Sequence, residues 1–212
     1  MNNKIKVAVL TGGKSAELEV SLASAKIVAQ NISKEKYTVL TVNISTMPWK
    51  VFDQEKEIAT IDLNDFSYIL NSEKHYFDVV FMSIHGTPAE DGKIQGYFDL
   101  MNIPYTCTGT LASAITFDKD ICKQLLKNFP LNQAKSVLLT NPKTSIEDIL
   151  KELSLPVFVK PNKNGSSYGT SKVKTESEFE KALKTAFNFD NEVLVEEFID
   201  GREMACGVLE RK

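Results

Sequence analysis

The segment Phe158–Gly169 combines residue types that could bind a phosphate group. A short apolar run ends at Lys160, Pro161 breaks the chain, and a loop rich in glycine and serine follows. Because such a loop has little side-chain bulk, its backbone N–H groups can approach phosphate oxygens closely, and Lys160 adds a positive charge. The Gly-Lys-Ser/Thr of a Walker A loop is missing, and a flexible surface loop is the alternative interpretation.

Other chemically informative residues lie on the strands expected around this loop. Phe158 and Lys160 are two positions apart, so their side chains share a face that suits an aromatic base next to a phosphate. Glu196 and Glu197 interrupt an apolar run and, being adjacent, point to opposite faces. One of them is expected in a site or buried at a cost, unless a strand edge exposes both. Glu203 follows a glycine turn and could reach a ribose diol.

Two more candidates stand where predicted strands end in the first half of the chain. Glu17 follows the first strand and the pair Gly12-Gly13, and His85 follows a later strand. Ligands bind at this carboxyl edge in open α/β sheets. Glu17 could receive a substrate ammonium group or could serve as a charge at the start of a helix. His85 could be a binding group or a simple turn residue.

The elements that would position these residues alternate between strand and helix in the first half. Strands are predicted at Ile5–Leu10, Tyr37–Ile44 and Asp78–Ile84, and helices at Val20–Ile32 and Gly92–Met101. This rhythm indicates an open, parallel α/β sheet. Ser33–Lys36 and Asn71–Lys74 are interpreted as polar connections.

A second unit, α+β in character, is predicted from about Phe117 onward. Helices are predicted at Asp120–Lys127, Ser145–Leu153 and Ser177–Phe187, and strands at Lys135–Thr140, Pro156–Lys160, Ser171–Val173 and Glu192–Ile199. Two of these strands are joined by the glycine loop without a helix, which indicates antiparallel pairing. A last apolar run, Met204–Leu209, follows.

Composition narrows the class of protein. The chain has 212 residues, of which 42% are hydrophobic and 25% charged, a profile typical of a soluble globular protein. The net charge of −3 argues against nucleic acid and membrane as partners. No apolar run reaches the ~20 residues of a membrane span, and the N-terminus lacks a signal-peptide core.

Cys107, Cys122 and Cys206 fit neither a disulfide framework nor a zinc site, so we expect reduced thiols in a cytoplasmic protein.

Taken in order, the motifs of the chain resemble those of the D-alanine–D-alanine ligase family, and the resemblance spans essentially all of its length. The matching motifs are Gly-Gly-x-Ser-Ala-Glu within Val9–Ser21, His85-Gly86, Glu90–Gly96, Asn102–Tyr105, Asp118-Lys119, Phe158–Pro161, Gly165–Gly169 and Val195–Glu203.

The resemblance implies an N-terminal open α/β (pre-ATP-grasp) domain followed by the first part of an ATP-grasp α+β module. The expected divisions are residues 1–117 for the substrate-binding domain, 118–203 for the central ATP-grasp subdomain and 204–212 for the start of a C-terminal subdomain.

The resemblance also implies an activity. ATP phosphorylates the carboxylate of one D-alanine, and the amine of a second D-alanine attacks the acyl phosphate, giving a dipeptide for peptidoglycan precursor synthesis. The expected partners are the small molecules D-alanine and ATP, with a homodimer left open. The second substrate is not identified by the sequence, so a D-Ala–D-lactate or D-Ala–D-Ser ligase remains an alternative, as does a non-catalytic nucleotide-binding fragment.

Matching positions assign roles to individual residues. Glu17 would hold the ammonium group of the first D-alanine, His85 would lie against that substrate, and Ser166 would help close the glycine loop by a hydrogen bond with Glu17. The expected nucleotide-binding residues are Lys119 and Lys160 at the phosphates, Ser166 and Ser167 in the loop, Phe158 and Ile199 around the adenine, Glu196 and the backbone of Glu197 at the adenine edge, and Glu203 at the ribose.

The chain departs from the family pattern in several places. Ala89 stands at a usual glycine and could alter the turn after His85, and Cys107 interrupts the usual Tyr-x-Gly-x-Gly. Tyr168 and Leu18 replace other common residues.

Family members also continue past the segment that matches the end of this chain, with a flap, an arginine and the ligands of two magnesium ions. We therefore expect Mg²⁺ ligands beyond Lys212 and no metal ligands within the 212 residues. The sequence thus predicts a ligase truncated before its metal-binding segment, inactive on its own because phosphoryl transfer depends on charge neutralisation.

Overall fold

A computed structural model describes residues 4–208, which divide into two compact units. The first comprises the residues up to Leu126 together with the segment Lys163–Tyr168, and the second comprises Lys127–Asn162 and the residues from Gly169 onward. The domain divisions expected at 117/118 and 203/204 stay predictions. Residues 1–3, where a signal peptide would begin, and residues 209–212 of the expected last subdomain lie outside the described residues.

The first unit is built on an eight-stranded mixed sheet. Its strands are β1 (Ile5–Thr11), β2 (Tyr37–Asn43), β3 (Lys50–Asp53), β4 (Lys56–Asp62), β5 (Ser67–Leu70), β6 (Glu73–His75), β7 (Val79–Met82) and β8 (Tyr105–Thr106). They lie in the order β6-β5-β4-β3-β2-β1-β7-β8. Because β1 pairs in parallel with β2 and β7, and β7 with β8, the predicted parallel sheet is confirmed.

Strands β3 to β6 form an antiparallel extension that the sequence analysis did not predict. The interpretation of Asn71–Lys74 as a polar connection is wrong in part, because Glu73 and Lys74 belong to β6. These strands mix charged with apolar residues, so no long apolar run marks them. Trp49 and Phe66, which flank these strands, nevertheless enter the main core.

Four helices complete the first unit. They are α1 (Leu18–Asn31), α2 (Lys93–Leu100), α3 (Thr110–Phe117) and α4 (Lys119–Leu126), of which α3 was not predicted. Successive side chains of β1 point to opposite faces of the sheet. Ala25 of α1 belongs to the same buried cluster as Val7 and Val9, whereas alternate residues of β1 join the cluster that contains Phe98 of α2. Phe98 packs edge-on against Phe66, with ring centroids 4.9 Å apart.

The second unit is a four-stranded antiparallel sheet with two helices. Its elements are β9 (Ser136–Leu139), α5 (Ile146–Glu152), β10 (Val157–Pro161), β11 (Ser171–Val173), α6 (Phe179–Phe187) and β12 (Val193–Glu197), with a single 3-10 turn at Glu176–Glu178. The strand order is β11-β10-β12-β9. Since β10 and β11 pair antiparallel, the pairing predicted across the glycine loop is confirmed.

Alternation along β10 separates a buried face from a second face. Val157 and Val159 are fully buried in a cluster with Phe179 of α6. Phe158 and Lys160 alternate with these valines and are half-buried, so the shared face predicted for them is confirmed.

The chain after β12 has no regular secondary structure as far as Val208. The strand predicted over Glu192–Ile199 therefore ends earlier, at Glu197. In the apolar run that follows, Met204 and Val208 are exposed, and Leu209 lies outside the described residues. Within residues 4–208, no helix is long and apolar enough to cross a bilayer.

Candidate functional site

Glu17 occupies the junction between β1 and α1 and is buried, with 4% of its surface exposed. Glu17 is the N-cap residue of α1 but makes no side-chain capping hydrogen bond, so a role at the start of the helix would depend on its charge alone. Oε1 instead accepts a hydrogen bond from the Ser166 hydroxyl, as the resemblance implied. Oε2 has no hydrogen-bond partner among the described residues. A buried carboxylate oxygen without a partner is costly, so Oε2 is suited to a cationic ligand.

Two glycines allow the backbone to approach this oxygen closely. A Cβ placed on Gly165 would lie 2.7 Å from Glu17 Oε2, and one placed on Gly86 would lie 3.2 Å from it. Gly86 also has a φ of +75°, a backbone conformation that residues with a side chain rarely adopt. The close packing of the backbone around Oε2 therefore depends on both glycines.

His85 is held by three serines that precede or belong to α1. Its backbone N–H donates to Ser21 Oγ at 2.9 Å, and its carbonyl accepts from Ser15 Oγ at 2.8 Å. Its ring Nε2 lies 3.2 Å from Ser24 Oγ. Glu17, Ser21 and Ser24 are spaced i, i+4, i+7, which places them on one face of a helix. This hydroxyl pattern was the sequence signal for the support of His85, and the sequence analysis missed it.

The glycine loop makes further contacts within the first unit. Lys119 Nζ donates to the carbonyl of Asn164 at 2.7 Å. Lys163 Nζ lies 3.8 Å from Asp118 Oδ2. The phosphate role expected of Lys119 stays a prediction, and the structure adds that this lysine contacts the same loop that contains Ser166.

Ser166 and Ser167 give the loop its sharp turn. Both have left-handed backbone conformations, with φ values of +46° and +57°. Such values are uncommon for residues other than glycine, and the hydrogen bond from Ser166 to Glu17 helps to stabilise the conformation. Ser167 is exposed.

In the second unit, three predicted nucleotide-binding residues share the face of the sheet that α6 does not cover. Glu196 of β12 is the cross-strand partner of Phe158, and its carboxylate forms an ion pair with Lys160. Lys172 of β11 is the partner of Phe158 on its other side. Its Nζ lies 3.2 Å from the ring centroid of Phe198, a cation–π geometry. Neither Lys172 nor Phe198 was singled out from the sequence, although strand alternation from Phe158 could have indicated this face.

The other residues of the second unit that were predicted to bind the nucleotide are Glu197, Ile199 and Glu203. Glu197 belongs to the opposite face of β12, and its Oε1 accepts the backbone N–H of Lys135 at 2.7 Å. Its own N–H donates to the Lys135 carbonyl, so this backbone is engaged in strand pairing. Ile199, which is 64% exposed, and Glu203 follow β12 in the irregular segment.

Two departures from the family pattern have a structural explanation. Ala89 is buried and its φ is not positive, so alanine is accommodated in the turn after His85. Cys107 has a φ of +154°, in the range that favours glycine.

The described residues offer no cluster of metal-binding side chains. Across residues 4–208, no group of three or more His, Cys, Asp or Glu side chains is arranged to hold a metal ion.

Comparison with known proteins defines the class and then the family. Solved structures with ATP-grasp architecture share the fold, so the chain combines an N-terminal open α/β domain with the first part of an ATP-grasp module. A VanG D-Ala:D-Ser ligase from Enterococcus faecalis matches with a TM-score of 0.81 and 32% identity, over 94% of this chain and 64% of that one. A D-alanine–D-alanine ligase from Bacillus anthracis complexed with ATP matches with a TM-score of 0.73 and 27% identity, over 93% and 60%.

Two family models match the chain in succession. Residues 6–108 match the D-ala D-ala ligase N-terminus and residues 125–212 match the D-ala D-ala ligase C-terminus. The chain belongs to the D-alanine–D-alanine ligase family. A D-alanine–D-alanine ligase of Bacteroides fragilis is 43% identical over 210 residues, which are 99% of this chain and 65% of that relative. The chain thus spans about two thirds of the length of that relative.

Proposed function

We propose that the complete protein that contains this chain joins two D-alanine molecules at the expense of ATP. The observation that carries the proposal is Glu17 Oε2, a buried carboxylate oxygen that has no partner among the described residues and that lies against the backbone of two glycines. An ammonium group supplies the charge and the hydrogen-bond donors that this oxygen needs.

In this proposal Glu17 fixes the amino end of the first D-alanine, so that its carboxylate is presented for phosphorylation. A carboxylate oxygen of the substrate attacks the γ-phosphorus and ADP leaves. The amine of the second D-alanine then attacks the acyl carbon, phosphate leaves, and the amine loses a proton. His85 would line the same site, because the three serines hold both its backbone and its ring close to Glu17. The contribution of these residues is positioning.

The nucleotide would bind on the Phe158 face of the second unit. Phe158 offers an apolar surface and Lys160 a cation, while Glu196 accepts hydrogen bonds, a combination that suits an adenine base next to phosphate. The bound ATP of the Bacillus anthracis relative supports ATP as the nucleotide. Mg²⁺ would supply charge neutralisation during phosphoryl transfer. Because residues 4–208 contain no fitting ligand cluster, no residue described here is assigned to the metal.

The proposal extends to the context of the reaction. The dipeptide would serve peptidoglycan precursor synthesis, and the reaction would take place in the cytoplasm, where ATP is available. A D-Ala–D-Ser ligase is the second candidate, since the VanG enzyme shares the fold at 32% identity.

The test is an assay of the purified complete protein with ATP and Mg²⁺. D-Alanine alone, or D-alanine mixed with D-serine or D-lactate, is supplied, and both phosphate release and the mass of the product are measured. The proposal expects D-alanyl-D-alanine to be the main product. A mixed product as the main species would favour the second candidate, and phosphate release that does not respond to D-alanine would refute ligase activity.

A further inference from the structure

The ring of His85 makes a single hydrogen bond among the described residues. Its Nε2 lies 3.2 Å from the Oγ of Ser24, a residue of α1. The other ring nitrogen, Nδ1, has no partner in residues 4–208. Nδ1 is also not among the buried polar atoms of the chain that lack a partner, so solvent or a ligand can reach it. The histidine therefore has one ring nitrogen bound to the protein and one that is available to a ligand.

The hydrogen bond between Ser24 and His85 can be made in two directions. In a neutral imidazole one nitrogen carries the proton and donates while the other accepts, so the tautomer decides which group is the donor. A serine hydroxyl within a helix can also donate to the carbonyl four residues earlier. Ser24 makes no such bond, because its Oγ has no partner other than His85 in the described part of the chain.

One of the two directions satisfies both groups. If Nε2 carried the proton, it would donate to Ser24 Oγ, and the hydroxyl proton of the serine would have no acceptor among the described residues. If Nδ1 carries the proton, the hydroxyl donates to Nε2 and both atoms have a partner. A hydrogen bond at one ring nitrogen determines which nitrogen is protonated. The contact with Ser24 thus favours the tautomer with the proton on Nδ1.

The backbone of His85 is fixed independently of this contact. Both of its backbone polar groups bond to serine hydroxyls other than that of Ser24. Loss of the Ser24 hydroxyl should therefore change the ring and leave the backbone in place. The next residue, Gly86, lies against Glu17, because a Cβ placed on it would be 3.2 Å from Oε2. His85 thus borders the candidate substrate site through a well-anchored segment.

We propose that Ser24 is a positioning residue: its hydroxyl donates to His85 Nε2 and keeps the neutral imidazole protonated on Nδ1. Nδ1–H is then an uncharged donor that binds a carboxylate oxygen of the first D-alanine. A neutral donor orients this carboxylate without neutralising the charge that makes it a nucleophile. The choice of substrate group rests on the proposed function, whereas the tautomer does not.

The tautomer can be measured by NMR, because the nitrogen chemical shift differs strongly between a protonated and an unprotonated imidazole nitrogen. The complete protein is prepared with isotope-labelled histidine, and the spectrum of the neutral imidazoles is recorded. The His85 signals are those lost in His85→Gln, and through-space contacts with the Ser24 β-protons assign them in the unmodified protein. We expect a protonated Nδ1 and an unprotonated Nε2. A dominant Nε2–H form, or the lack of a preference, would overturn the proposal.

Two variants test whether Ser24 is responsible. Ser24→Ala removes the hydroxyl, so the Nε2–H tautomer, the commoner form of a free histidine side chain, should become dominant. Ser24→Thr keeps a hydroxyl and should restore the wild-type spectrum. A purely structural role for Ser24 would not move the tautomer, so unchanged nitrogen shifts in Ser24→Ala would refute its role. The spectrum of the unmodified protein tests the tautomer even where a variant does not fold.

Steady-state kinetics of the complete protein test the role in the reaction. Ser24→Ala should raise KM for the first D-alanine by about threefold to tenfold, the size of one hydrogen bond, with KM for ATP unchanged. Ser24→Thr should return KM for D-alanine to the wild-type value. A changed tautomer with an unchanged KM would overturn the assignment of Nδ1–H to the substrate. Absence of ligase activity in the wild type would refute the proposed function and this substrate contact, while the spectrum would still decide the tautomer.

Discussion

The Ser166 hydroxyl donates a hydrogen bond to a carboxylate oxygen of Glu17, a residue 149 positions earlier in the chain. The other oxygen of the same carboxylate has no partner among the described residues. One buried side chain therefore anchors the glycine loop with one atom, while its other oxygen has no partner in the described part of the chain. Under the proposed function, the loop and the ammonium group of the first D-alanine would share this carboxylate.

Ser166→Ala should loosen the glycine loop. The variant removes the hydrogen bond to Glu17 but keeps the residue with a left-handed φ of +46°. We expect amide hydrogen exchange over Lys163–Tyr168 to accelerate by about threefold or more. Ser167→Ala is the matched control, because Ser167 has a similar φ of +57° and is exposed. Equal acceleration in the two variants would show that the backbone conformation, and not the contact with Glu17, determines the order of the loop.

Glu17→Gln should weaken binding of the first D-alanine. The amide keeps the shape and can still accept from Ser166, but it loses the negative charge that would face the ammonium group. Steady-state kinetics of the complete protein should show KM for the first D-alanine raised by more than about tenfold, with ATP affinity nearly unchanged. Glu19→Gln, at an exposed position in the first turn of α1, is the control and should behave like the wild type. Wild-type D-alanine kinetics in Glu17→Gln would remove Glu17 from the substrate site.

Lys160→Ala should weaken ATP binding. The variant removes a cation from the Phe158 face and breaks the ion pair between Lys160 and Glu196, so the face becomes more negative and less favourable to a polyanionic ligand. Calorimetry on the complete protein should show a loss of at least ~1.5 kcal/mol, or more than about tenfold in affinity. Lys151→Ala breaks an exposed ion pair with Asp148 in the same unit and should change affinity by less than about 0.5 kcal/mol. If both variants bind ATP like the wild type, the nucleotide does not use this face.

Tyr105 should make stability fall at alkaline pH. Burial, reinforced by its hydrogen bond to Asp99, raises the pKa of Tyr105 from 10.0 to about 12 in the folded chain. The stabilisation from this higher pKa is fully present below the unfolded pKa, near pH 10, and is lost as the pH rises toward 12. Tyr105→Phe should therefore lose less unfolding free energy than the wild type over that interval, measured by urea denaturation. Tyr97, whose pKa burial also raises to about 12, remains in both proteins as an internal reference in the tyrosinate absorbance.

Elements with a strong apolar pattern could be predicted from the sequence. The residues of β1, β7 and β10 form almost continuous apolar runs because these strands are buried in the interior of their sheets. The antiparallel strands β3 to β6 could not be predicted in this way. Their apolar contribution to the core comes in part from aromatic residues near turns, such as Trp49 and Phe66, and charged residues interrupt the apolar pattern within the strands.

Only some features of the candidate site could be predicted from the residues themselves. Strand alternation alone placed Phe158 and Lys160 on one face. The contact of Ser166 with Glu17 joins residues far apart in sequence, so no local pattern indicates it, and it was expected only from the family resemblance. The ion pair between Lys160 and Glu196 depends on the register of β10 against β12, which the sequence does not specify.

The attachment of His85 to α1 bears on how this protein can change over evolutionary time. Both backbone groups and the ring of the histidine bond to serines before or within the helix, so its position depends little on the turn that follows it. Substitutions in that turn can accumulate without displacing the histidine. The alanine at position 89 lies in that turn: it is buried, and His85 keeps all three serine contacts.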